Sequence, residues 1–152
     1  MIAAANPFDL TGRRALVTGG GSGLGFAIAR GLARAGSRVV LNGRNRDKLA
    51  QAGEALAREG IDAGLAPFDV TDADAVAEGV ARVESVAGPI DILVNNAAMN
   101  QRKALEQFTP DEWRALMAAN LDGPFLVTRA LLPAMKARRS GKIINIGSLM
   151  SR

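Results

Sequence analysis

The 152-residue chain has no cysteine, no histidine and no tyrosine, and only 4% of its residues are aromatic. Without cysteine there is no disulfide, no thiolate nucleophile and no thiolate metal site. Without histidine there is no Ser-His-Asp relay, no imidazole ligand and no side chain whose ordinary pKa lies near neutrality; no metal centre is expected. Without tyrosine there is no phenolic acid or base, so proton chemistry is left to Asp, Glu, Lys, water or a group supplied from elsewhere. Long apolar runs are missing too, and none approaches the roughly 18 residues that span a membrane. Residues 1–7 have neither the basic segment nor the apolar stretch of a secretory signal. These absences predict no membrane partner and a cytoplasmic location.

What is present is moderately basic: 19 Lys and Arg against 15 Asp and Glu, a net charge of +4. A high isoelectric point raises nucleic acid or an anionic small molecule as a partner. The basic residues are scattered, however, and aromatics do not interleave with them. The one tight group, Lys136, Arg138 and Arg139, follows a helical stretch, where cations suit the negative end of the helix dipole. No nucleic-acid partner is expected.

Short apolar runs alternate with amphipathic stretches along the whole chain. Residues 14–18, 38–42, 64–68, 90–95 and 142–146 are bounded by Gly, Pro, Asp or Asn and are expected to be buried strands, the third weakened by Pro67. Helical patterns at 24–35, 47–59 and 72–87 each end on a glycine. Thr109-Pro110-Asp111-Glu112 is a capping box with proline at the first helical position. Residues 125–138 are again amphipathic, with a kink or break expected at Pro133. Strict strand–helix alternation predicts an α/β fold, a doubly wound Rossmann-like parallel sheet with right-handed crossovers.

The first strand runs into Thr18-Gly19-Gly20-Gly21-Ser22-Gly23-Leu24-Gly25, and a helix follows at once. In that setting Gly19 permits the sharp turn, Gly23 the close approach of a pyrophosphate and Gly25 tight packing, while the helix N-terminus attracts phosphate. Gly19, Gly21, Ser22, Gly23, Leu24 and Gly25 are therefore candidate cofactor-binding residues. About twenty residues on, such folds often place an acid on the ribose 2′-hydroxyl. Here Asn42-Gly43-Arg44 has no acid; the space at Gly43 and the cation of Arg44 suit a 2′-phosphate, which points to NADP.

The ordered set of motifs resembles the N-terminal part of the short-chain dehydrogenase/reductase family. It comprises the Thr18-to-Gly25 spacing, Asp69-Val70 after the third strand, Asn95-Asn96-Ala97-Ala98 after the fourth, Asn120 in the helix after the capping box, and Ser148 after the fifth. The resemblance runs from Leu10 to Ser151. It implies that Asp69 bonds the adenine amino group, that the Val70 amide contacts the ring, and that Asn96 and Ala98 pass beside the cofactor ribose. Ala98 stands where the family usually has glycine, so a left-handed backbone there would be strained. By the same resemblance Asn120 bends its helix and positions a water, and Ser148 binds the substrate oxygen; these two are the candidate catalytic residues. Read from the residues alone, Asp69 serves equally as a turn or helix-start residue.

The family transfers hydride between nicotinamide and a carbonyl or secondary alcohol, with a Tyr as acid or base and a Lys four residues later. That pair follows the serine in the family, and the present chain ends at Arg152. Residues 1–152 are thus expected to be one dinucleotide-binding domain, incomplete at its C-terminus, without independent turnover. Phe8-Asp9-Leu10-Thr11-Gly12, Leu41-Asn42-Gly43-Arg44 and the 99–108 segment are similar to the gluconate 5-dehydrogenase branch. That implies a small-molecule substrate such as gluconate or 5-ketogluconate, its carboxylate held by Arg102. A 3-oxoacyl thioester reductase and a non-catalytic dinucleotide-binding module stand as alternatives. Trp113, Leu116, Met117, Leu121, Phe125 and Leu132 form apolar stripes, read either as core or, by the resemblance, as the contact of a homo-oligomer in the full-length form.

Overall fold

The computed structural model describes residues 6–147. Five parallel strands, β1 (Arg14–Val17), β2 (Arg38–Gly43), β3 (Gly64–Pro67), β4 (Ile92–Asn95) and β5 (Lys142–Asn145), form one sheet in the order β3-β2-β1-β4-β5. The helices are α1 (Gly23–Arg34), α2 (Arg46–Ala57), α3 (Ala73–Ala87), α4 (Pro110–Met117) and α5 (Gly123–Ala137).

β1, β2 and β4 are apolar on both faces because each face is covered; contrary to the expectation of buried strands throughout, the edge strand β5 is exposed along its length and the edge strand β3 buries only Ala66. In β1, Leu16 points into a core with Val40, Leu93 and residues of α3 and α5. Its neighbours Ala15 and Val17 point the other way, into a core with Val39, Leu41, Ile92, Val94 and residues of α1 and α2. Alternation with period two along β1, β2 and β4 thus feeds two separate cores. Helices on both faces of a parallel sheet make the doubly wound fold expected from the alternation.

Two prolines show where local rules bend. Pro67 ends β3, paired with Gly43 on one side only, since β3 is the sheet edge; an edge strand tolerates a residue that cannot donate. Pro133 was expected to kink or break its helix, yet α5 runs unbroken through it. Arg129, whose carbonyl loses its i+4 donor, lies with Pro133 on the exposed side of α5, where water can satisfy the orphaned oxygen.

Between α4 and α5 the backbone stays helical through a π-helical turn, Ala118–Asp122. The apolar residues of this stretch are not core: Trp113, Leu121, Phe125 and Leu132 are exposed, and Leu116 and Met117 half-buried. The inward face of α5 is instead made by Val127, Leu131 and Met135. Among the described residues no helix is long and apolar enough to cross a membrane.

Candidate functional site

The strand order reverses its progression between β1 and β4, and the C-terminal ends of β1, β2, β3 and β4 open onto a cleft of about 380 Å³ beside that point. Such a reversal parts the loops on either side and leaves a crevice. Of the candidate residues, Gly19, Ser22, Arg44, Asp69, Val70, Asn96 and Ala98 line this cleft. Gly21 in the β1–α1 connection and Gly23, Leu24 and Gly25 at the start of α1 are not among its lining residues. Arg102 does not line it either; its side chain is exposed. Ser148 lies outside the described residues.

The glycine turn is built by close approach. Gly19 has φ +65°, and a Cβ on it would lie 2.9 Å from Asn96 Nδ2 and 3.0 Å from Ala97 Cα. A Cβ on Gly25 would lie 2.3 Å from the Gly19 carbonyl oxygen. Thr18 and Asn96 lock this turn to the end of β4. Thr18 Oγ1 accepts from the N–H groups of Asn96 and Ala97, each at 3.0 Å, while Asn96 Nδ2 donates to the carbonyls of Thr18 at 3.0 Å and Gly19 at 3.4 Å. Asn96 therefore acts on the turn itself. Asn95 works on the other side, donating to Thr128 Oγ1 and Asn145 Oδ1 and so tying β4 to α5 and β5.

The start of α1 is prepared for an anion. Side chains cap α2 (Asn45), α3 (Asp72) and α4 (Thr109 with Glu112). At α1 the N-cap Ser22 makes no side-chain cap bond, and the first turn holds no acid. Its N–H groups thus keep their partial positive charge free, and Ser22 lines the cleft.

The far wall carries Arg44 and Asp69, the only two charged side chains that line the cleft among the described residues. Asn42, fully buried, sets their spacing: its Nδ2 donates to the carbonyls of Ala66 and Phe68, both at 3.0 Å, so the end of β2 holds the end of β3. Asp69 Oδ1 accepts from Thr71 N at 2.9 Å and Thr71 Oγ1 at 2.8 Å, and Asp69 Oδ2 lies 3.6 Å from Arg44 Nη1. Burial pushes the Asp69 carboxyl up, but the Thr71 bonds and the Arg44 charge outweigh it, leaving its pKa below the ordinary value. Asp69 thus performs the turn role; the helix start belongs to Asp72.

Asn120 sits in the π-helical turn, and its amide clamps the loop after β4: Oδ1 accepts from Met99 N at 2.7 Å and Nδ2 donates to Met99 O at 2.9 Å. Beyond the clamp, Glu112 gathers the 101–109 segment, accepting from Gln101 Nε2 at 2.8 Å, Thr109 N at 2.8 Å and Lys103 Nζ. Those bonds, Lys103 foremost, pull its carboxyl down to about 2. Ala98 carries no positive φ, which among the described non-glycine residues only Arg139 has; the strain anticipated for an alanine there does not arise.

Sequence reasoning passed over Asn42, Thr71, Met99, Ala118 and Ala119, which also line the cleft. An asparagine inside the apolar run of β2, and a threonine two residues after Asp69, were the available signals. Nothing in the local pattern marks the two alanines, which are brought in by the π-helical turn.

Comparison with known proteins agrees with this geometry. The family model for short chain dehydrogenases matches residues 13–152. Gluconate 5-dehydrogenase of Gluconobacter oxydans (strain 621H) is 49% identical over 144 residues, 95% of this chain and 56% of the relative. 5-Keto-D-gluconate 5-reductase of Escherichia coli (strain K12) is 39% identical over 95% of this chain and 57% of its own length. The crystal structure of a gluconate 5-dehydrogenase from Burkholderia cenocepacia J2315 in complex with NADP and tartrate superposes with a TM-score of 0.90 at 48% identity, covering 95% of this chain and 57% of that one. The chain spans little more than half the length of these relatives.

Proposed function

Because the chain belongs to the short-chain dehydrogenase family, we propose that its cleft binds NADP and that the whole protein interconverts a sugar acid such as gluconate and its 5-keto form. The bound cofactor supplies or accepts the hydride. The chain's own residues bind and orient. Gly23, with nothing within 4 Å of a Cβ, leaves a pyrophosphate its close approach, Gly19 and Gly25 let the turn pack against β4 and α1, and the uncapped N-terminus of α1 with Ser22 takes the phosphate charge. Arg44 takes the 2′-phosphate, Asp69 the adenine amino group, and the Val70 amide faces the ring. Asn96 keeps the turn in place, while Asn120 holds the loop after β4 against the π-helical turn. Ser148 binds the substrate oxygen and Arg102 the substrate carboxylate. The exposed Leu121, Phe125 and Leu132 suit contact with a second copy in a homo-oligomer.

The observation that carries the cofactor choice is at the end of β2. Gly43 lines the cleft without a carboxylate, and Arg44 is the only cation lining it among the described residues; a carboxylate at Gly43 would repel a phosphate there. The direct test is thermal stabilisation of the chain. A ligand at a hundredfold excess over its Kd stabilises by about 2.7 kcal/mol, a rise of about 5–11 °C for a domain of this size. NADP is expected to exceed NAD at equal concentration, and Arg44→Ala to erase the difference. Equal shifts in the unsubstituted chain refute the 2′-phosphate assignment.

A further inference from the structure

The end of the sheet opposite the cleft has cavities of its own. β1 begins with Arg14 and β2 with Arg38, paired in register, whereas β3 begins at Gly64 opposite Val40, two residues further on. With period two, Arg14 and Arg38 share the sheet face of Leu16 and Val40, the one that α3 covers. Past the end of α3 at Ala87 and the late start of β3, that face opens into a cavity of about 410 Å³ whose charged residues are Arg14, Arg38 and Asp62. Gly88, with φ +85°, lies against the Arg14 guanidinium: a Cβ on it would be 3.1 Å from Cζ and from Nε. Arg14 is thus held in place, and its Nε is buried without a hydrogen-bond partner. Asp91 is taken by the side chain of Arg13 and the backbone N–H of Arg14. Among the described residues no ion pair joins Arg14 or Arg38 to Asp62 or to any other carboxylate.

A second cavity, of about 160 Å³, adjoins the first, the two sharing Val40, Gly64 and Ala87 in their walls. Leu65, Phe68, Val83 and Val86 make it apolar, and Arg82, exposed, is the one charged residue lining it among the described residues. Gly79 gives the floor its place, since the Phe68 ring lies 2.3 Å from where a Cβ on that glycine would be. We infer that the joined cavities bind a small amphipathic monoanion, its carboxylate between Arg14 and Arg38 and its apolar tail against Leu65, Phe68 and Val86. Guanidinium groups take a carboxylate through paired N–H donors. Two arginines against one aspartate leave a single positive charge, which matches a carboxylate better than a doubly charged phosphate. The apolar cavity has the size that holds about one benzene ring, so the tail has about six carbons. This site lies at the other end of the strands from the cleft and does not depend on the cofactor reading.

The test titrates the full 152-residue chain with hexanoate, butanoate, acetate and neutral 1-hexanol, followed by amide NMR shifts. Hexanoate is expected to give saturable shifts at Gly64, Leu65, Val86 and Ala87. Its affinity is expected to exceed that of butanoate by about two- to fourfold for each added methylene, with acetate and 1-hexanol weaker still. Arg38 and Asp62 are both exposed, so their side chains can be changed without disturbing the fold, and the two substitutions act with opposite sign. Arg38→Gln is expected to weaken hexanoate about two- to fivefold, and Asp62→Asn, which removes the competing carboxylate, to tighten it by a similar factor. Neither is expected to move 1-hexanol. Hexanoate shifts that do not saturate or that fall elsewhere overturn the site. Acetate bound as tightly as hexanoate overturns the apolar half, and 1-hexanol bound as tightly as hexanoate, or hexanoate affinity unmoved by both substitutions, overturns the role of the arginines; either result refutes the amphipathic ligand.

Discussion

Two glycines of α1 are expected to respond to the same substitution with opposite sign. At Gly25 an alanine Cβ would fall 2.3 Å from the Gly19 carbonyl oxygen and 2.5 Å from Asn96 Nδ2. Both groups are pinned, the one in a turn with φ +65° and the other by bonds to Thr18 and Gly19. Relief requires the turn to move away from the helix, at about 1–3 kcal/mol for overpacking and about 1 kcal/mol for each weakened hydrogen bond. The helical preference of alanine over glycine returns about 0.5–1 kcal/mol. The net loss for Gly25→Ala is about 2–3 kcal/mol, a fall of about 4–12 °C in Tm. Gly31 lies two turns further along, exposed, with nothing within 4 Å of a Cβ. There only the helical preference acts, and Gly31→Ala is expected to stabilise by about 0.5–1 kcal/mol. Urea unfolding followed by circular dichroism measures both. If Gly25→Ala matches or exceeds the unsubstituted chain in stability, the close approach of α1 to the glycine turn is refuted. The same variant is expected to lose most of its stabilisation by NADP, because the displaced turn no longer presents the start of α1 to the cleft.

Thr18→Val keeps the shape of a side chain only 2% exposed but strands the N–H groups of Asn96 and Ala97; a loss of about 2–4 kcal/mol is expected in urea unfolding, against less than about 1 kcal/mol for Thr18→Ser, which keeps the oxygen. Glu112 has its pKa depressed from 4.5 to about 2 by Lys103, Thr109 and Gln101. Its contribution to stability is therefore fully present above pH 4.5 and is lost as the pH falls toward 2. Glu112→Gln is expected to flatten the stability–pH curve within that window and nowhere above it; an unchanged slope between pH 4.5 and 2 contradicts the clustering of Gln101, Lys103 and Thr109 on this carboxylate.

The centre of the sheet was legible because burial on both faces leaves a plain trace, whereas at the edges the apolar runs of β3 and β5 showed the strands but not their exposure. Short runs such as Ala15-Leu16-Val17 and Ile92-Leu93-Val94, too short for helices and bounded by turn residues, are strands covered on both faces, and the glycines at 36, 60 and 88 mark the helix ends between the strands. The course of residues 110–137 was less legible, since its irregularity lies in hydrogen bonding. Pro133 carries the local mark of a break, yet sits where the orphaned carbonyl reaches water; the π-helical turn at 118–122 carries no such mark. The apolar stripe of Trp113, Phe125 and Leu132 left its partner open for a related reason: periodicity shows that residues share a face and says nothing of what the face meets.

At the cleft, the same limit separates residues whose chemistry is local from residues whose role is a relation. Gly19, Ser22 and Arg44 could be singled out because turn, helix start and strand end are contiguous in sequence. Asn42 could not, because its two acceptors lie on another strand, 24 and 26 residues away. Those bonds decide where Asp69 stands, and hence that its one open oxygen meets Arg44. Reading Arg44 and Asp69 separately assigns each to one part of an adenine nucleotide and treats the two contacts as additive. Their 3.6 Å separation makes them an ion pair, so the effects of substituting the two are not expected to add.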